Sequence, residues 1–390
     1  MLEQRSFWKR FVGLMGNILN AIRTLTSLFI VIVFVAVLGA LGGAFSANQP
    51  PPLTDKTALL LVLEGTLVDQ KTYVEPLTEI FEDTVSTQTE TLVRDVIRAI
   101  DSAADDPRIT HLILDLNYLE GGGLSKLVEI GNALKRFKSS DKPIVAYADY
   151  FMQQDYYLAA HADEIILNSM GFVELQGFGA YRSYFKDAID KLKISVNVLR
   201  VGNHKSAVEP FIGNEMSEEV RQETSRWIGS LWDYYTNEIE TLRGLDKDTV
   251  DHGIEQLLSL LRDAGGDFAE MSLKHGTVDR LATRTELEEY LNQLTPNEES
   301  KLRSVDLYDY LYHIDNEYTQ NQPTNDKKIA VIVAKGEIFD GDQPEGNIGG
   351  DTLSEIFKEA RNDIDVAAIV LRIDSPGGSA FASEVIRDAI

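Results

Sequence analysis

Between residues 25 and 45 the chain carries no charged side chain, and from Lys56 onward apolar and polar positions follow two recurring rhythms. The uncharged run would span roughly 30 Å as a helix at about 1.5 Å per residue, close to the thickness of a hydrocarbon core. Beyond it, short continuous apolar runs read as buried strands, and apolar residues three or four apart read as helices. Residues 56–65 and 328–336 are both lysine-led apolar runs closed by glycine. Residues 112–117 lead to Gly121, Gly122, Gly123 and a helix from Ser125; residues 369–374 lead to Ser375, Pro376, Gly377, Gly378, Ser379 and a helical pattern through Val385 and Ile386. An amphipathic segment precedes each, at Leu92, Val96 and Ile100 and again at Leu353, Ile356 and Ala360. Each copy therefore reads strand, helix, strand, glycine turn, helix. The second breaks off at Ile390 inside a helix, which would leave its strands half covered.

Between the copies the alternation continues. Strands are predicted at 144–148 and 164–167, with a third at 196–201 ending in Gly202. Short helices are predicted at 153–160 and 184–192. Ser217, followed by Glu218 and Glu219, reads as a helix N-cap. The helix it opens carries Trp227, Ile228, Leu231, Tyr235 and Ile239 and stops at Gly244. Thr285 to Glu288 reads as a capping box. Strands and helices in alternation imply an α/β fold. The predicted organisation is a leader at 1–24, a transmembrane anchor at 25–45 and a Pro-rich linker at 46–55 containing Pro50, Pro51 and Pro52. A first repeat with a helical extension follows at 56–315, then a polar linker at 316–326 around Pro323, then the start of a second repeat at 327–390.

Charge narrows the function. With 62 acidic against 37 basic residues and a net charge of −25, the chain is a poor partner for nucleic acid. It has no cysteine, which excludes disulfides, thiol nucleophiles and thiolate metal sites. Its six histidines include no His-Glu-x-x-His stretch, so no metal or other cofactor is called for. Arg5, Lys9, Arg10 and Arg23 precede the apolar run with only Glu3 opposing, and the first charge after it is Asp55. The positive-inside rule then puts the leader in the cytoplasm and everything after residue 46 outside. Small residues at Ala44, Ser46 and Ala47 also suit a signal-peptide cleavage site. The long leader and long apolar run favour an uncleaved anchor.

Residues 200–211, from Arg200 through Lys205 to Phe211, resemble the catalytic-lysine segment of the signal peptide peptidase A (protease IV) family, peptidase family S49, of the long two-repeat bacterial type. Ser375-Pro376-Gly377-Gly378 resembles the glycine turn of that family and of its ClpP-like relatives. The resemblance implies a ClpP/crotonase-like α/β fold in tandem repeat and a homotetramer in the bacterial inner membrane. The catalytic part would face the periplasm and degrade cleaved signal peptides or other membrane-associated peptides. It implies Lys205 as general base and Gly377 and Gly378 as oxyanion and substrate-binding residues. The family's serine follows the next strand and helix. In the first copy that place falls at Gln153, 31 residues after Gly122; the same interval from Gly378 reaches position 409, beyond Ile390. The nucleophile is therefore expected outside this chain, and the chain alone is expected to be catalytically incomplete.

A serine hydroxyl needs a base to take its proton, and a lysine can serve only when neutral. At an ordinary pKa near 10.4 about one lysine in 2,500 is neutral at pH 7; moving it to about 7.5 takes about 4 kcal/mol of differential solvation, which burial can supply. Val201, Gly202, Ala207 and Val208 around Lys205, with no carboxylate before Glu209, suit a desolvated lysine. N–H groups aimed at the developing oxyanion complete the requirement, and a glycine turn before a helix supplies them. On the residues alone other readings stand. Lys205 also reads as a solvated surface lysine, Ser375 and Ser379 as turn and N-cap residues, and His204 as structural. A non-catalytic membrane scaffold and a crotonase-like acyl-CoA enzyme are the competing functions.

Overall fold

The apolar run after Lys56 forms strand β1 (Thr57–Val62), and its continuity has a structural cause: it lies inside a parallel sheet with Ala58, Leu59 and Leu61 fully buried. In the computed structural model, which describes residues 23, 26–36, 50–73, 89–199, 205–321 and 327–390, β1 is flanked by β4 (Ile109–Asp115) and β9 (Ser304–Asp306). The sheet continues through β6 (Ile144–Ala148), β7 (Glu164–Asn168) and β8 (Arg280–Ala282), giving six parallel strands in the order β8-β7-β6-β4-β1-β9. A second parallel sheet, ordered β3-β2-β5, contains β2 (Gly65–Val68), β3 (Glu90–Leu92) and β5 (Leu119–Gly121). The protein is thus an α/β fold built on a parallel sheet.

Helices Val93–Asp105 and Leu124–Lys138 cover the sheet with stripes at helical spacing. Val93, Val96, Ala99, Ile100 and Ala103 are buried on one; Leu127, Ile130, Leu134 and Phe137 are buried on the other. Each fully buried Leu, Ile or Phe adds about 1.5–3 kcal/mol of hydrophobic stabilisation. The predicted N-cap at Ser217 is present: its hydroxyl accepts from Val220 N, and the helix Glu218–Arg243 ends at Gly244 in the left-handed conformation.

The same order of elements returns at the C-terminal end. Strand β10 (Lys328–Lys335) pairs in parallel with β13 (Val366–Asp374), as β1 pairs with β4. The short β11 (Ile338–Phe339) pairs with β12 (Ile348–Gly349), as β2 pairs with β3, and Ile338 bridges Gly378 where β2 meets β5. Helices Gly350–Asn362 and Ala380–Ala389 pack with Ile332, Ala334, Ile348, Leu353, Phe357 and Ile386 into a small core. Much of β13 is exposed, including Val370 and Ile373.

Four sequence expectations shift. Residues 196–199 form no strand; Val196 and Leu199 are exposed and have no ladder to join, so apolar character alone does not make them β. The helix expected at 184–192 is shorter, Lys186–Lys191. The capping box is Thr283 with Glu286, two residues earlier than read, and Thr285 lies inside the helix Arg284–Leu294. The helix Leu307–Asn321 runs into the predicted 316–326 linker, carried by buried Leu307, Tyr310 and Leu311.

Residues 1–52 form one unit and Leu53–Ile390 another. Residues 26–36 are helical, with Leu28, Phe29, Ile30 and Phe34 exposed. Among the described residues no helix is long and apolar enough to cross a membrane. The rest of the predicted 25–45 span lies outside the described residues, as does most of the 1–24 leader.

Candidate active site

Lys205 caps a single 3-10 turn, Ser206–Val208, that runs into the short helix Glu209–Ile212 with Pro210 in its first turn. This segment is held from two sides. Arg182 Nη1 donates to Ser206 O at 2.9 Å, and Phe185 N donates to Pro210 O at 2.7 Å. Glu209 is buried, and its Oε1 accepts from Ser217 Oγ at 2.5 Å, so the N-cap of the long helix also anchors the lysine segment. Lys205 itself is exposed, which corrects the expectation of a desolvated lysine. Ala207 on its turn is exposed too and Val208 is half-buried. Arg200 to His204 lie outside the described residues.

The second predicted element is the turn after β13. Gly377 and Gly378 have φ +111° and +152°, a region that suits glycine. A Cβ on Gly378 would lie 2.2 Å from Ile338 O, whereas one on Gly377 would meet nothing within 4 Å. Ile338 N donates to Gly377 O at 3.0 Å and Ser379 N to Ile338 O at 2.8 Å, so the turn is zipped onto β11. Ser375 Oγ accepts from Gly377 N at 3.1 Å, and Ser379 Oγ accepts from Ala382 N at 3.1 Å and donates to Asp340 at 2.5 Å. Both serines thus act as turn and cap residues. The Gly377 N–H, expected to face an oxyanion, rests on a hydroxyl only two residues away.

The equivalent turn in the N-terminal copy is closed by a side chain. Gln154 Oε1 accepts from Gly122 N at 3.0 Å and from Gly123 N at 3.3 Å. Gln153, which stands at the serine's place in sequence, points elsewhere: its Oε1 accepts from Gln176 N at 3.0 Å and Gly177 N at 2.8 Å. Beside them Asp155 is buried, and burial raises its carboxyl to about 7 despite a bond from Met152 N.

The model of peptidase family S49 matches residues 136–295, a stretch that contains Lys205. Protease 4 of Haemophilus influenzae is 37% identical over 385 residues, covering 97% of this chain and 61% of that protein. The chain belongs to peptidase family S49. Protease 4 of Salmonella typhi is 36% identical, covering 98% of this chain and 62% of the relative. The chloroplastic serine protease SPPA of Arabidopsis thaliana is 27% identical over 73% of this chain and 41% of its own length. This S49 chain therefore spans about three fifths of the length of the two bacterial relatives. Among solved structures, a membrane-bound stomatin-specific protease, 1510-N, aligns at 14% identity with a TM-score of 0.29 over 65% of this chain and 95% of that one. An enoyl-CoA hydratase/isomerase family member aligns at 15% identity and a TM-score of 0.25, over 58% and 72%.

The sequence reading of this S49 chain missed a set of residues that join the two copies. Lys126 Nζ meets Asp374 Oδ2 at 2.8 Å, directly before the glycine turn. Arg372 meets Asp69 at 2.9 Å and is forked onto Glu129. Lys335 Nζ meets Glu90 Oε1 at 3.1 Å and Gln70 O at 3.0 Å. The Lys126 bond holds Asp374 below the usual carboxylate range. Burial pushes Glu90 up, but bonds from Thr72 and Lys335 outweigh it and leave it lowered. Helical spacing of charge at Lys126 and Glu129 is the one trace of this in sequence, and it is indistinguishable there from a solvated helix face.

Proposed function

We propose that this chain is the N-terminal part of a serine endopeptidase of the Ser–Lys type, anchored in the bacterial inner membrane, that degrades cleaved signal peptides in the periplasm. The observation that carries the proposal is the S49 match across the segment bearing Lys205, in a chain 37% identical to a Protease 4 along nearly all its length. In this reading Lys205 takes the proton from a serine supplied beyond Ile390, and the Gly377–Gly378 turn offers N–H groups to the oxyanion. The two copies are ClpP/crotonase-like units, residues 25–45 are the anchor, and the assembled protein is a homotetramer.

Two features of the chain fit that chemistry. The Lys205 segment is clamped by Arg182, Phe185 and Ser217, so a base at its tip would hold one position. Exposure of Lys205 in this chain means that substrate, or protein outside these 390 residues, must cover it before it can act as a base. Rotation of Ser375 away from Gly377 N would free that donor for an oxyanion.

In the full-length protein, Lys205→Ala is expected to lower the cleavage rate of an apolar peptide at least about a thousandfold while leaving the circular dichroism and Tm unchanged. Retained cleavage would remove Lys205 from the mechanism and turn the reading toward a membrane-anchored scaffold.

A further inference from the structure

The contacts between the copies are not scattered. Lys126 and Glu129 lie three apart on the helix Leu124–Lys138 and share one face. Arg372 and Asp374 lie two apart on β13 and share one face of that strand. Lys126 meets Asp374 at 2.8 Å and Glu129 meets Arg372 at 2.9 Å, so the two pairs have opposite polarity. Sliding the helix along the strand by one pair would bring Lys126 against Arg372. The arrangement therefore fixes a register as well as a contact. Lys126 keeps only 12% of its side chain exposed, which shields this pair from solvent on the helix side.

Both ends of the link terminate at a glycine turn. Asp374 is the last residue of β13, immediately before Ser375-Pro376-Gly377-Gly378. Lys126 lies in the first turn of the helix that begins right after Gly121–Gly123, the turn that Gln154 closes with two hydrogen bonds. The rest of the attachment sits on β13 and its neighbour β10: Asp69 also bonds Arg372, and Lys335, the register partner of Asp374, is held by Glu90 and Gln70.

We propose that the N-terminal copy acts as a brace for the oxyanion turn of the C-terminal copy, with Lys126 as a positioning residue that fixes the Gly377–Gly378 N–H groups through Asp374. This rests on the functional reading above. Gln154 seals one turn so that its helix start is rigid, and Lys126 transmits that rigidity to the turn that must stay open for chemistry. Lys126 touches neither substrate nor the reacting atoms. Its effect falls on how well the donors are aimed, which matters most in the transition state.

The test uses the full-length protein with a fluorogenic apolar peptide and a fluorophosphonate probe. Lys126→Met and Lys126→Asp are expected to lower kcat and the labelling rate about tenfold to a hundredfold, with KM within about twofold. Lys126→Arg should keep most activity, and the charge swap Lys126→Asp with Asp374→Lys should recover at least about tenfold over the worse single variant. Hydrogen exchange at the amides of residues 377–379 should quicken in Lys126→Asp and slow again in the swap, and this readout does not need the enzyme to be active. Unchanged kcat and exchange in Lys126→Asp, or a swap no better than its parents, would overturn the brace. If the unaltered protein cleaves nothing yet the exchange pattern follows the charges, the brace stands and the peptidase reading falls.

Discussion

The turn at Gly121–Gly123 and the turn at Ser375–Gly378 occupy the same place in two copies of one element order, yet their N–H groups meet different partners. In the N-terminal copy an amide oxygen from Gln154, 32 residues from Gly122 in sequence, accepts from both Gly122 and Gly123. In the C-terminal copy the Gly377 N–H is met by Ser375, a neighbour that can swing away about a single bond. A long-range acceptor commits a turn to structure, because removing it leaves two donors and a shifted helix. A local hydroxyl leaves the turn available. The two turns differ in backbone as well: the helix starts from Gly123 at φ +83° in one copy and from Ser379 at φ −64° in the other.

The largest effect that would test this difference lies at Gly378. Gly378→Ala places a Cβ 2.2 Å from Ile338 O at a φ that L residues avoid, so the turn must leave β11. Peptide cleavage by the full-length protein should fall at least about a hundredfold, while Gly377→Ala, with open space and only backbone strain, should cost less. Equal losses at the two positions would break the assignment of Gly378 as the packed member.

Next comes the plug. Gln154→Ala should lower stability by about 1 kcal/mol, read as the urea midpoint at unchanged m-value, since water can reach the half-buried Gly122 amide. Gln154→Glu, which keeps an acceptor at the same reach, should restore most of the loss. A neutral Gln154→Ala would mean that the turn is not sealed by this contact.

Legibility of the molecule in its sequence followed range. The repeat, the strands around Leu59 and Leu114, the Ser217 cap and the Gly244 stop were all readable, because burial on both faces and helix ends leave local marks. Of the strand expected at 196–201, residues 196–199 form none, because strand formation needs a partner and no local pattern supplies one. Thr283 and Thr285 both stand near a suitably placed Glu, and only geometry chose the first. At the candidate site, the exposure of Lys205 was not legible, because the apolar character of its neighbours in sequence does not say what packs over it. Gln154, Lys126 and Glu209 were invisible for a common reason: each acts on a residue that sequence alone cannot bring near.

A further test beside the plug is a slope in pH. Asp155 next to the plug is raised to about 7 by burial, well above its value in an unfolded chain. Between about pH 4 and 7 the folded state therefore holds a proton that the unfolded state has lost, and stability falls as pH rises through that window. Asp155→Asn should flatten this part of the profile relative to the unaltered protein, measured as Tm from pH 4 to 8. An identical slope in both proteins would place the carboxyl in contact with water rather than in the core.

The four charges between helix and strand also work as an address. In the N-terminal copy the positions matching Arg372 and Asp374 are Asp115 and Asn117, and Asp115 is already bonded to Tyr147 and Asn117. A helix carrying Lys126 and Glu129 that strayed onto that strand would set Glu129 against Asp115 and leave Lys126 facing a neutral amide. The charges therefore favour docking of this helix on β13 over the matching strand of the N-terminal copy.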